Sequence, residues 1–136
     1  MKTPKLLFVV LGLILAASSY AADYSLNAAV TAAGKLMPKD GPQDFSLFNL
    51  PEPKAKPEQL LAALRQARDQ KVCLAICSPK LKYIRNLLKD TMKTAKAEKF
   101  DGLYLIIVAD QTDVAGFEEL FKDRGIHAKY GVYGAE

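Results

Sequence analysis

The chain has no tryptophan, a single histidine and only two cysteines. One histidine excludes a metal centre built from several imidazoles, and two cysteines exclude a small scaffold stapled by many disulfides. Both glycine-rich phosphate loops, GxGxxG and GxxxxGK[ST], are missing, and so is the GxSxG turn of α/β hydrolases. There is no internal repeat and no low-complexity tract. Excess charge is small: 19 basic residues face 15 acidic ones, for a net +4. What remains is a chain of 136 residues, half of them apolar, with 8 glycines and 7 prolines. That is one domain with enough apolar content for a core, and it is neither disordered nor fibrous.

The one long hydrophobic run lies at the start. Lys2 and Lys5 precede the apolar segment Leu6–Ala17, and Ser19-Tyr20-Ala21 follows with small residues at the two positions a signal peptidase reads. Residues 1–21 therefore read as a secretory signal peptide cleaved before Ala22. The apolar core falls short of the roughly 20 residues needed to span a bilayer. Its short, Leu-rich form is bacterial in style, so the expected location is the periplasm; secretion and an uncleaved N-terminal anchor are the alternatives. Cleavage removes two lysines and no acid, leaving 17 basic residues against 15, a charge of +2. Such a balance gives no reason to expect nucleic acid as partner, nor stable membrane insertion after cleavage.

In the mature chain, residues 22–56 read as an N-terminal helix and a Pro-rich linker, and 57–136 as an α/β domain. Asp23 is placed to cap a helix over Tyr24–Met37, with Leu26, Val30, Ala33 and Met37 on one face. Five of the seven prolines fall between Pro38 and Pro57. The apolar island Phe45–Leu50 among them reads as an edge strand or a plug on the core. Pro57 opens a helix through Asp69, with Leu60, Leu61, Leu64 and Ala67 inward. Val72–Cys77 and Leu103–Ala109 are continuous apolar runs, as expected of strands covered on both faces. Ser78-Pro79 opens a helix reaching about Lys99, and Asp113 one reaching Lys122, which Gly125 ends. Ile126–Tyr133 alternates as a half-buried edge strand does. The expected fold is a small two- or three-layer α/β sandwich. Its three- to four-stranded, mostly parallel sheet has a βαβαβ core over residues 71–134, preceded by N-terminal helices.

In an open parallel sheet, ligands gather where strands end and helices begin. That crevice would hold Ser78, Asp110, Thr112 and Asp113, with the N-terminus of the helix after Pro79 favouring an anion beside Ser78. On that helix Lys82, Arg85, Lys89, Lys93 and Lys96 form one stripe beside the apolar face of Leu81, Ile84, Leu88, Met92 and Ala95. Tyr83 is the only aromatic near it, too few for stacking single-stranded nucleic acid. The stripe suits an acidic protein surface.

Cys73 and Cys77 share a face of one predicted strand but stand about 13 Å apart at 3.3 Å per residue. A disulfide needs Cα atoms within about 7 Å, so two buried thiols are expected. The segment Cys73-Leu74-Ala75-Ile76-Cys77-Ser78-Pro79 resembles the CxxxC-P motif of the thioredoxin-fold copper chaperones of cytochrome oxidase assembly. That resemblance implies Cu(I) on Cys73 and Cys77 with His127 as third ligand, although here Cys73 lies inside the strand, whereas the family's motif follows it. The order of strand, helix, Ile107-Val108-Ala109-Asp110, helix and Gly125-Ile126 is similar to half of a phospholipase D-type domain. His127-Ala128-Lys129 matches the first three places of that family's HxKxxxxD, with Gly134 where the aspartate stands. It implies a histidine nucleophile in a degenerate half domain.

The composition thus leads to an exported α/β protein that binds a partner in an accessory or inhibitor role. No cofactor is expected. Thiol or Cu(I) chemistry and phosphodiester hydrolysis stand as alternatives.

Overall fold

The computed structural model describes the backbone of Leu6–Val10 and residues 24–134. The signal-peptide reading otherwise falls on residues outside these. In chain order the elements are β1 (Leu6–Val10), α1 (Leu26–Lys35), β2 (Phe45–Asn49), α2 (Pro57–Gln70), β3 (Cys73–Cys77), α3 (Leu81–Ala95), β4 (Tyr104–Ala109), α4 (Phe117–Phe121) and β5 (His127–Val132). The strands lie parallel in one sheet in sequence order, and β2 to β5 alternate with helices. This is the expected α/β fold.

The apolar runs become strands because both of their faces are covered. Phe48, Leu50, Leu74, Ile76, Leu105, Ile107 and Ala109 meet α2, α3 and α4 on one side. On the other, Phe45, Leu47, Cys73, Ala75, Cys77, Ile106 and Val108 meet Ala29 and Ala33 of α1. Three layers result, with the sheet in the middle. A sheet whose strands follow sequence order puts every crossover helix on one face when all links share a hand. The links through α2, α3 and α4 do so; that hand is right-handed in about 98% of such units. By contrast, α1 lies on the opposite face of the sheet.

Several details differ from the expectation. The cap of α1 is Ser25, whose Oγ accepts from the Ala28 N–H at 3.0 Å. Alanines rather than larger residues are buried there, since α1 lies close on the sheet. Of the two readings of Phe45–Asn49, strand or plug, the strand holds: it pairs with β3 on one side and with β1 on the other, and is buried throughout. Consequently β2 shares the sheet, and α1 a core, with residues beyond Pro57. The last helix is one short turn capped at Gly116, not at Asp113. Asp113 instead closes a local turn, its Oδ1 accepting from Ala115 N–H at 3.3 Å. Gly125, at φ 75°, lies beyond that helix in the turn before β5.

Two helices are tied by charge at the end of α3. Glu98 accepts from Arg65 at 2.7 Å and from Arg68 at 2.9 Å, both on α2. Arg65's hydrogen bond, with Arg68 adding and partial burial opposing, holds the Glu98 carboxyl down at about 2, against 4.5 ordinarily. A folded value below the unfolded one means this contribution is complete above about pH 4.5 and lost as pH falls toward 2. The pairs are partly exposed, so the term is within about 1 kcal/mol. Glu98→Gln should flatten acid unfolding in that window, as followed by urea melts at successive pH values.

Candidate functional site

The longest helix, α3, carries the main candidate. Leu81, Ile84, Leu88, Thr91, Met92 and Ala95 recur at helical spacing and are buried, which fixes its rotation on the core. Lys82, Lys89, Lys93 and Lys96 are consequently exposed on its outer side. Among the described residues none of the four takes part in an ion pair. The arginines are used differently. Arg65 and Arg68 hold Glu98, and Arg124 donates to the Met92 and Glu98 carbonyls at the C-terminal end of α3, at 3.1 and 3.0 Å. Arg85, expected in the stripe, is drawn aside: it donates to the Asp113 carbonyl at 2.6 Å and lies over the Phe117 ring at 5.2 Å. It clamps α4 to α3, so the accessible row is the four lysines.

The strand-end crevice is organised inward. Asp110 reaches across from the end of β4, and its Oδ1 accepts from Leu81 N–H at 2.8 Å. This carboxylate therefore takes the first turn of α3, where an anion beside Ser78 was expected. Ser78 is wholly buried, its N–H donating to Val108 and its Oγ accepting from Lys80 N–H at 3.3 Å. Thr112 is exposed and is not drawn into this network.

Both cysteines are free and buried, on the α1 face of β3. Burial pushes the Cys77 thiol up to about 12; it pushes Cys73 up to about 11, with Lys129 opposing. Thiolate, the form a soft metal binds, is thus disfavoured at both. His127 is exposed and stacks on Tyr104 at 5.1 Å, beside the first residue of β4 and two strands from β3. It stands at the N-terminal end of the sheet, away from Cys77 and from the strand-end crevice. Among the described residues no group of three or more His, Cys, Asp or Glu is placed to hold a metal.

One cluster was not foreseen. Asn49 sits in register with Cys77, and its Oδ1 accepts a hydrogen bond from the Tyr24 hydroxyl. The Tyr24 ring meets the Tyr133 ring edge-on at 4.9 Å, and Tyr133 donates to the Pro79 carbonyl at 3.3 Å. Burial, with Cys77 and Tyr133 adding, pushes the Tyr24 phenol up, so it stays protonated and remains a donor. The cluster pins Tyr24, just before α1, to the C-terminal ends of β2, β3 and β5. The signal in the sequence was a lone amide closing an apolar strand, since a buried Asn needs a partner.

No protein-family model, curated protein or solved structure matches the chain.

Proposed function

We propose that the chain is exported, loses residues 1–21, and works in the periplasm by binding an acidic protein surface through α3 in an accessory or inhibitor role. The observation that carries the reading is the division of labour among its cations. Arginines are spent on internal contacts, while Lys82, Lys89, Lys93 and Lys96 stand exposed in one row outside any ion pair among the described residues. Strongly hydrated ammonium groups on flexible stems suit a solvated docking face that steers an oppositely charged partner. Export is supported by the basic start, apolar core and small residues before Ala22.

The test is capture from a periplasmic extract by the tagged mature protein, with bound proteins identified by mass spectrometry. Lys89→Glu with Lys93→Glu should reduce retention of the captured acidic protein by about tenfold or more, and so should moderate salt. Both side chains are exposed, so stability should move by less than about 1 kcal/mol. Equal capture by the variant removes α3 from the interface.

A further inference from the structure

The second strand is the one that removal of the leader leaves bare. The Asp44 carbonyl accepts from Cys73 N–H at 3.0 Å, and Leu50 N–H donates to the Cys77 carbonyl at 2.7 Å. Backbone groups alternate in direction along a strand, so the even-numbered residues serve β3. The N–H and C=O groups of Phe45, Leu47 and Asn49 point the other way, toward β1. Without β1 these groups form an open edge.

That edge has none of the devices that keep a free edge from pairing. Phe45-Ser46-Leu47-Phe48-Asn49 contains no lysine, proline or glycine. The opposite edge of the sheet does: β5 exposes His127 and Lys129 and carries Gly131. A strand as apolar as β2, left at a rim, calls for a cover.

Its own sequence is self-complementary. Set antiparallel against a copy of itself about a twofold axis at Leu47, Leu47 faces Leu47 and Phe45 faces Asn49. Each facing pair then exchanges both of its outward hydrogen bonds. The flanks agree as well. Lys39, Asp40 and Asp44 before the strand sum to −1, whereas Glu52, Lys54 and Lys56 after it sum to +1. An antiparallel pair brings the acidic flank of one copy beside the basic flank of the other, and a parallel pair would set like against like.

We propose that, once residues 1–21 are gone, the Phe45–Asn49 edge is covered by the same strand of a second copy, joining two sheets into one. This rests on the export reading above. The exported full-length gene product is purified and its intact mass taken before its oligomeric state is measured by sedimentation velocity. The expected result is a chain beginning at Ala22 that is dimeric at about 100 μM, with Leu47 and Asn49 amides protected from hydrogen exchange in the dimer and exposed on dilution. Asp40→Lys or Lys54→Glu alone should weaken the dimer by about tenfold, because each makes the facing flanks alike, and the two together should restore it. These exposed side chains leave the core untouched. Retention of residues 1–21 overturns the cleavage reading. A cleaved chain that stays monomeric, or a dimer with those amides unprotected, overturns the strand pairing alone.

Discussion

Replacing Phe48 by alanine should lower stability by about 3–5 kcal/mol. The ring is fully buried in the core that β2, α2 and α3 share, a cluster that also holds Leu60 and Leu64 of α2. Truncation removes the transfer free energy of the ring and leaves a cavity that a parallel sheet, held by neighbours on both sides, cannot close. Domains of this size are stable by about 5–15 kcal/mol, so the loss is a third or more of the total in most cases. Urea unfolding checks it: the midpoint should fall with little change in slope, and thermal unfolding should move down by more than about 10 °C. Ser46→Ala, one alternation along the same strand, is the control and should be within about 1 kcal/mol. An equally small effect at Phe48 would return Phe45–Leu50 to the status of a loosely laid plug.

Gly125→Ala should be the other severe change, and its cause is backbone rather than packing. Gly125 sits at φ 75°, and a Cβ there would meet the Asp101 Cα at 2.7 Å. The carboxylate of Asp101 can swing away, but its backbone cannot. Around it Phe100 N–H donates to Arg124 C=O at 2.7 Å and Gly102 N–H to Gly125 C=O at 3.1 Å. Relief of the clash pulls these two turns apart and disturbs the entry to β5. The expected loss is about 2–4 kcal/mol, the sum of left-handed strain and weakened backbone hydrogen bonds. Gly102→Ala separates the two contributions. Its φ is 84°, but nothing lies within 4 Å of the added carbon, so only the strain of about 1 kcal/mol remains. Urea melts of the two variants should differ by at least about 1 kcal/mol.

Much of the architecture was legible because it is written in local patterns. Continuous apolar runs marked β3 and β4, helical spacing marked α2 and α3, and alternation marked β5 at an edge. Phe45–Asn49 was harder, since flanking prolines hid a strand whose partner lies 28 residues on, at Cys73. Asp113 misled because a capping residue reads the same whether a long helix or a single turn follows. The lysine row was visible as helical periodicity, but Arg85 belonged to it only by spacing. Nothing local announced that Phe117 would lie beneath its guanidinium.

By itself, the sequence determined the fold class, the export-like start and the lysine row of α3, since each depends on residue type at a fixed local spacing. The tertiary structure alone decided which charges are used up inside. Asp110 closes the helix end that an anion was expected to occupy, and Arg85 leaves the basic row for α4. It also brought Tyr24, Asn49, Cys77 and Tyr133 together and set His127 at the other end of the sheet from Cys77. These outcomes depend on strand order and on which face each helix takes. Both are settled by where buried area is gained across the whole chain, and no local window contains that information.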